Sequence, residues 1–152
     1  MNMTLREKLE TTFGAYEADG RAIFIVTLST FVASESFGCS DRMRHFWDHH
    51  FIYRVREQLP YQAKEKLDSD YVLERRPFFH YHGFLALPYE HRHHIWKGGA
   101  LHPRFNRALN SFRHAGKYRP FRINEYEILP ANGVTAWAKY ITKTADYIPS
   151  VC

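Results

Sequence analysis

The segment His80-Tyr81-His82 is where residue type and spacing in this chain first suggest chemistry. It lies in an apolar run, FFHYHGFLAL, that reads as a β-strand. Side chains alternate between the two faces of a strand, so His80 and His82 share one side, roughly 6–7 Å apart along the chain. Phe79, Tyr81, Leu85 and Leu87 then point to the other side, where they can pack under helices. Two imidazoles on one face suit a divalent cation. Glu74 offers a third ligand. If the chain folds into a hairpin centred on Pro77, residues 74 and 80 face each other with Cβ atoms about 4.5–5.5 Å apart. Two histidines and a carboxylate leave coordination positions open, as a catalytic metal requires. The alternative is that Glu74 pairs with Arg75, Arg76 or a neighbouring strand.

A second candidate is Tyr140, in the segment WAKYITKTADY. On a helix it falls about 100° from Ile141, beside the apolar stripe, and Lys143 lies one turn further on the same side. A phenol with a pKa of about 10 is a poor nucleophile at neutral pH without help. A cation one turn away and a metal polarising the target phosphate would give that help. Tyr147, a further seven residues on, is a reserve candidate.

These residues need elements to hold them. Arg21–Thr30 (RAIFIVTLST) reads as a strand, preceded by an Asp19-Gly20 turn. Met43, Phe46, Trp47, His50, Phe51, Val55 and Leu59 recur at helical spacing after Ser40 and stop at Pro60. Residues 71–74 and 78–87 form the expected hairpin. A helix over 103–115, with Pro103 in its first turn and Gly116 after its last, leads to a strand over 121–129. The last helix covers 134–147, its core stripe being Val134, Trp137, Ala138, Ile141, Ala145 and Ile148. The order β-α-β-β-α-β-α predicts an α+β fold, with helices on one face of an antiparallel sheet and the other face open to a ligand.

Three segments, taken in order, resemble a known group. A strand ending in IVTLST, then HYH in a later strand, then AKYITK on a late helix, look like the three motifs of the HUH endonucleases. The closer resemblance is to single-tyrosine rolling-circle replication initiators (Rep proteins) of plasmids and small DNA phages or viruses. It spans about residues 24–143. It implies an RRM-like antiparallel sheet of about five strands, with Mg²⁺ or Mn²⁺ held by His80, His82 and Glu74. Tyr140 would attack a phosphate of single-stranded DNA at a replication origin, within or beside a stem-loop, leaving a 5′-phosphotyrosine and a free 3′-OH. Lys143 matches the lysine that assists the tyrosine. Tyr81 departs from the family, which usually has an aliphatic there, and Ala136 stands where two-tyrosine relatives carry their second tyrosine. No GxxxxGK[ST] phosphate loop occurs, so residues 1–152 are expected to be one nuclease domain, with either a helicase supplied by the host or the chain being a nuclease fragment of a longer protein. A single-tyrosine transposase is a related alternative, though Thr144 stands where those enzymes usually carry glutamine. A non-catalytic RRM-like module for single-stranded nucleic acid is a further one.

Composition agrees with this class of partner. The chain has 152 residues, enough for one domain with a conventional core. Hydrophobic residues make up 45% and charged residues 24%, which argues against wholesale disorder. A net charge of +5 and an aromatic content of 16% favour an anionic, stackable partner such as single-stranded DNA. Arg104, Arg107, Arg113, Lys117, Arg119 and Arg122 concentrate positive charge in one region and are the candidate DNA-binding residues. Only Cys39 and Cys152 are cysteines, too few for a disulfide framework or a thiolate zinc site. Of the other histidines, His50 falls on an apolar stripe and reads as a core residue. His91, His93, His94 and His102 read as a solvated loop in preference to a DNA contact or auxiliary ligand. With no membrane-spanning or signal segment, a cytoplasmic protein is expected, or a nuclear one if the host is eukaryotic.

Overall fold

A computed structural model describes residues 3–30, 44–74, 80–113, 123–131, 137–139 and 142. The chain opens with helix α1 (Leu5–Ala18), started by a capping box in which Thr4 Oγ1 accepts from the Glu7 amide and Glu7 accepts from the Thr4 amide. It stops at Asp19-Gly20, where Gly20 takes the positive φ (69°) that lets the chain reverse into β1 (Arg21–Thr30). A π-helical turn, Phe46–Phe51, runs directly into the α-helix Ile52–Glu57, and together they make α2. The short α3 (Tyr61–Lys64) begins after Pro60. Then come β2 (Asp68–Glu74) and β3 (His80–Pro88), followed by a 3₁₀ turn, Tyr89–His94. The small strands β4 (Trp96–Lys97) and β5 (Ala100–Leu101) precede α4 (Pro103–Arg113) and β6 (Ile123–Pro130).

The main sheet is wholly antiparallel, in the order β2-β3-β1-β6. It is thus an α+β fold, as expected, with four strands in this sheet among the described residues and a separate two-stranded sheet. That second sheet forms in the segment read as a polar loop. Gly98 and Gly99 both have positive φ (63° and 81°), which closes a two-residue hairpin between β4 and β5. No helix among the described residues is long and apolar enough to cross a membrane.

Two cores cover the two faces of the sheet. On one, Phe24, Val26, Leu28, Tyr81, Leu85 and Leu87 meet Trp47, Phe51 and Val55 of α2 and Phe105, Leu109 and Phe112 of α4. On the other, Leu9 and Phe13 of α1 pack with Ile23, Val72, Phe84, Ala86 and Ala138. Phe13 meets Phe84 edge-on, with centroids 4.9 Å apart and planes at 79°. This corrects the expectation of helices on one face only. The histidine face is covered by α1 at one end, because Leu9 and Phe13 give an otherwise polar helix a narrow apolar edge to bury.

Tyr81 fixes which way β3 faces. It is fully buried, its ring centroid 5.0 Å from Tyr71, 5.4 Å from Trp47 and 5.8 Å from Phe46. A one-residue slip of β3 would expel this ring to the other face and bury the histidines instead. Gly83 leaves the space that Trp47 fills. A Cβ there would lie 2.6 Å from Trp47 Cη2 and 2.6 Å from the Asp70 carbonyl oxygen, and backbone cannot swing aside as a flexible side chain can. Gly83→Ala is therefore expected to destabilise the fold by about 3 kcal/mol, the upper range for overpacking. Denaturant unfolding checks this, and near-native stability would show that the Trp47 pocket can relax.

Candidate metal centre

The antiparallel register places the three predicted ligands together. Glu74 is paired directly with His80, and Val72 with His82, so Glu74, His80 and His82 share a face. Glu74 Oε2 lies 2.9 Å from Nε2 of His80 and 2.9 Å from Nε2 of His82. The three possible ligand atoms all fall within 4.8 Å of one another. The histidine rings stand nearly perpendicular, with centroids 4.8 Å apart and planes at 86°. This splay aims both Nε2 atoms at one point beside the carboxylate.

The donor set fits a divalent ion. Without one, a carboxylate oxygen accepts from two Nε2–H groups. With one, both rings must shift their proton to Nδ1 so that each Nε2 lone pair can ligate. For His82 the surroundings favour that tautomer. Its Nδ1 is 3.5 Å from Thr27 Oγ1, on the strand residue paired with it across β1–β3. A hydroxyl there can accept the Nδ1 proton and hold the ring in plane, as supporting groups do around ligating histidines. His82 is 6% exposed, so it approaches an ion from the protein side, while His80 and Glu74 stand at the rim. Three protein ligands leave further positions for water or substrate.

Next to this site packs a piece of the last predicted helix. Residues 137–139 and 142 have helical backbone, and Thr142 Oγ1 donates to the Ala138 carbonyl at 2.5 Å. Trp137 presents its ring edge-on to His82, with centroids 5.7 Å apart and planes at 81°, and Ala138 enters the core on the same face. Tyr140, Lys143 and Tyr147 lie outside the described residues. Tyr81, adjacent to both histidines in sequence, points into the opposite core. Burial, then the neighbouring Tyr71 and Asp48, push its phenol well above the usual tyrosine range, so it remains a neutral packing group.

The predicted DNA-binding arginines are placed elsewhere. Arg104 and Arg107 are exposed on α4, which packs against the face opposite the metal ligands. Arg113 ends that helix, and Lys117, Arg119 and Arg122 lie outside the described residues. His50 is half-buried, its ring 6.1 Å from Phe46 and 6.4 Å from Phe112, at the margin of the core. Sequence reasoning missed Thr27 as a supporting group and Trp137 as a wall of the site. Both depend on the pairing of distant segments. The Thr27–His82 register joins strands 55 residues apart, which no local pattern encodes.

Two outcomes follow for metal binding. His80→Ala should weaken Mn²⁺ binding by more than about a hundredfold, beyond what loss of a supporting group costs, while the fold persists because this ring sits at the rim. Thr27→Val keeps the side-chain shape but removes the acceptor, so it should cost about tenfold, and Thr27→Ser should restore most of that. Isothermal titration with Mn²⁺ measures both, and equal affinities for the valine and native chains would remove Thr27 from the site. Comparison with protein-family models, with curated proteins and with solved structures finds no match to this chain.

Proposed function

We propose that this protein is a metal-dependent enzyme that nicks and rejoins single-stranded DNA through a tyrosyl intermediate, the activity of a rolling-circle replication initiator. One observation carries the reading. The segment just ahead of Tyr140 is packed against the metal ligands, through the edge-on contact of Trp137 with His82. Trp137 and Ala138, three and two residues ahead of Tyr140 in sequence, pack on the side of the sheet where Glu74, His80 and His82 converge.

The chemistry divides among the chain's own residues. The Tyr140 phenol loses its proton, and its oxygen attacks a backbone phosphorus. The bond from that phosphorus to the 3′ oxygen breaks, and the 3′ oxygen takes up a proton. Energy of the phosphodiester is conserved in the tyrosyl ester, so the reverse attack by a 3′-OH rejoins a strand without ATP. Lys143 assists by stabilising the phenolate or the phosphate charge. Glu74, His80 and His82 would hold a divalent ion, which when bound polarises the phosphoryl oxygens. Two nitrogen donors suit Mn²⁺ better than Mg²⁺, which favours oxygen ligands and keeps its water.

The binding-module alternative has less support. Stacking platforms need exposed rings on the sheet. Among the described residues, the aromatic ring that β1, β2, β3 and β6 present on the metal side is Phe84, and it is buried against Phe13. The strongly exposed rings, Tyr53, Tyr61 and Tyr89, belong to α2, α3 and the 3₁₀ turn.

Incubation with labelled single-stranded oligonucleotides covering the replicon's origin and Mn²⁺ should give a covalent adduct on a denaturing gel. Tyr140→Phe should bind DNA and metal but form none, and Lys143→Ala should slow adduct formation by about a hundredfold, the usual scale for one assisting group. Peptide mapping of the adduct to Tyr147 would move the nucleophile by two helical turns. Absence of any adduct would favour the binding module.

A further inference from the structure

At the end of the sheet away from the metal centre, cationic and titratable side chains gather without a role in the chemistry above. β3 carries His80 at one end and Pro88 at the other, so the 3₁₀ turn after Pro88 begins about 20–27 Å of strand from the two histidines. His91, Arg92, His93 and His94 all lie in that turn. The rings of His93 and His94 are 4.0 Å apart, and those of His91 and His94 are 5.6 Å apart and nearly stacked. The turn is tied to the start of α4, since the His102 amide donates to the Ile95 carbonyl at 2.7 Å. His102 Nδ1 in turn accepts from the Arg104 amide, capping the helix. Lys97 of β4 and Arg107 of α4 complete the group, both exposed. Arg92 is fixed at its edge, 3.7 Å above the exposed Tyr89 ring.

Little negative charge offsets this. Glu90 lies within the turn, and Glu17 lines the neighbouring cleft with Tyr89 and Arg92. Arg21 in that cleft is already paired with Asp19 and Asp68. Packing like charges costs free energy, and an anion spanning them relieves it.

We propose that this cluster is a second phosphate-contact surface, which grips the backbone of single-stranded DNA far from the metal centre and grips it harder as pH falls. It rests on the reading of the chain as a DNA-binding protein and adds a place and a regulation to it. Burial, then the neighbouring His93, His91, Arg104 and His102, hold His94 below the ordinary imidazole range, so it is neutral at pH 7 without DNA. His102 is lowered in the same sense, by burial and then by Arg104, Lys97, Arg107 and His93. Its Nδ1 caps α4, so His102 stays neutral, which leaves the imidazoles of the turn to meet the anion. Phosphates raise their proton affinity, and by linkage protons raise the affinity for phosphates.

The test measures oligonucleotide binding by fluorescence anisotropy, with EDTA present, at about pH 8 and about pH 6, across the range in which histidine changes charge. The probe is long enough to span the distance from the metal centre to the cluster. It should bind the native chain about tenfold more tightly at the lower pH, roughly the gain from two added charges at 0.15 M salt. The salt dependence of log K should steepen by about 0.7 for each charge gained. His93→Ala, His94→Ala should lose that gain, and His93→Gln, His94→Gln should behave alike. A His80→Ala, His82→Ala chain should keep the gain, separating it from the metal histidines. Retention of the gain in the His93/His94 variants overturns the proposal. If the origin adduct still forms on Tyr140, only this surface falls. Absence of DNA binding at either pH would overturn both readings.

Discussion

Burial of Tyr81 is the constraint on which the rest of the structure depends. A strand has two sides and no intermediate setting, so a large ring held between Phe46, Trp47 and Tyr71 settles the orientation of every other residue of β3. His80 and His82 are thereby turned to the opposite face, where antiparallel pairing with β2 brings Glu74 alongside. The aromatic cluster and the candidate metal centre are two sides of one decision. This explains why a bulky aromatic is tolerated between the histidines where an aliphatic would be the simpler choice. α2 supplies a cavity of matching size, and Gly83 admits Trp47 close to the strand.

Much of this was legible locally. Alternation in FFHYHGFLAL sets the parity of β3, and symmetry about Pro77 opposes Glu74 to His80, because hairpin pairing follows from chain geometry alone. Arg21–Thr30 stands as read, with both ends intact. What escaped was of two kinds. Some signals were present but outweighed. Thr4 and Glu7 form a capping box in a segment to which no element is assigned from sequence, and Gly98-Gly99 is a hairpin dipeptide in a stretch whose histidines suggested a solvated loop. Other features have no local signal. The approach of α1 to the histidine face, the pairing of Thr27 with His82, and the placement of Arg104 and Arg107 behind the sheet depend on long-range packing.

The placement of charge also separates tasks that composition lumps together. A net charge of +5 suggests one basic surface, yet the metal side of β6 carries the exposed carboxylates Glu125 and Glu127. They lie in the rows of Ser29–His80 and Thr27–His82, two strands from the ligands. A polyanion approaching the metal from that side would meet repulsion, and the β2 side carries Asp68 and Asp70 on the same face as Glu74. Arg104 and Arg107 sit on α4, and Arg92 and Lys97 in or beside the 3₁₀ turn, away from the candidate metal centre.

The candidate metal centre joins two strands of unequal security. β3 lies inside the sheet with a neighbour on each side and both faces covered, whereas among the described residues β2 is a margin strand bonded only to β3. Margin strands open locally at far lower free energy than central ones, and they do so without unfolding the whole domain. An ion shared between Glu74 and the two histidines would act as a clasp across that seam. Each fraying of β2 would break the clasp by withdrawing the carboxylate, and each binding event would suppress the fraying. Retention of the ion and the amide-exchange protection of β2 would then be the same quantity, seen from the metal and from the backbone.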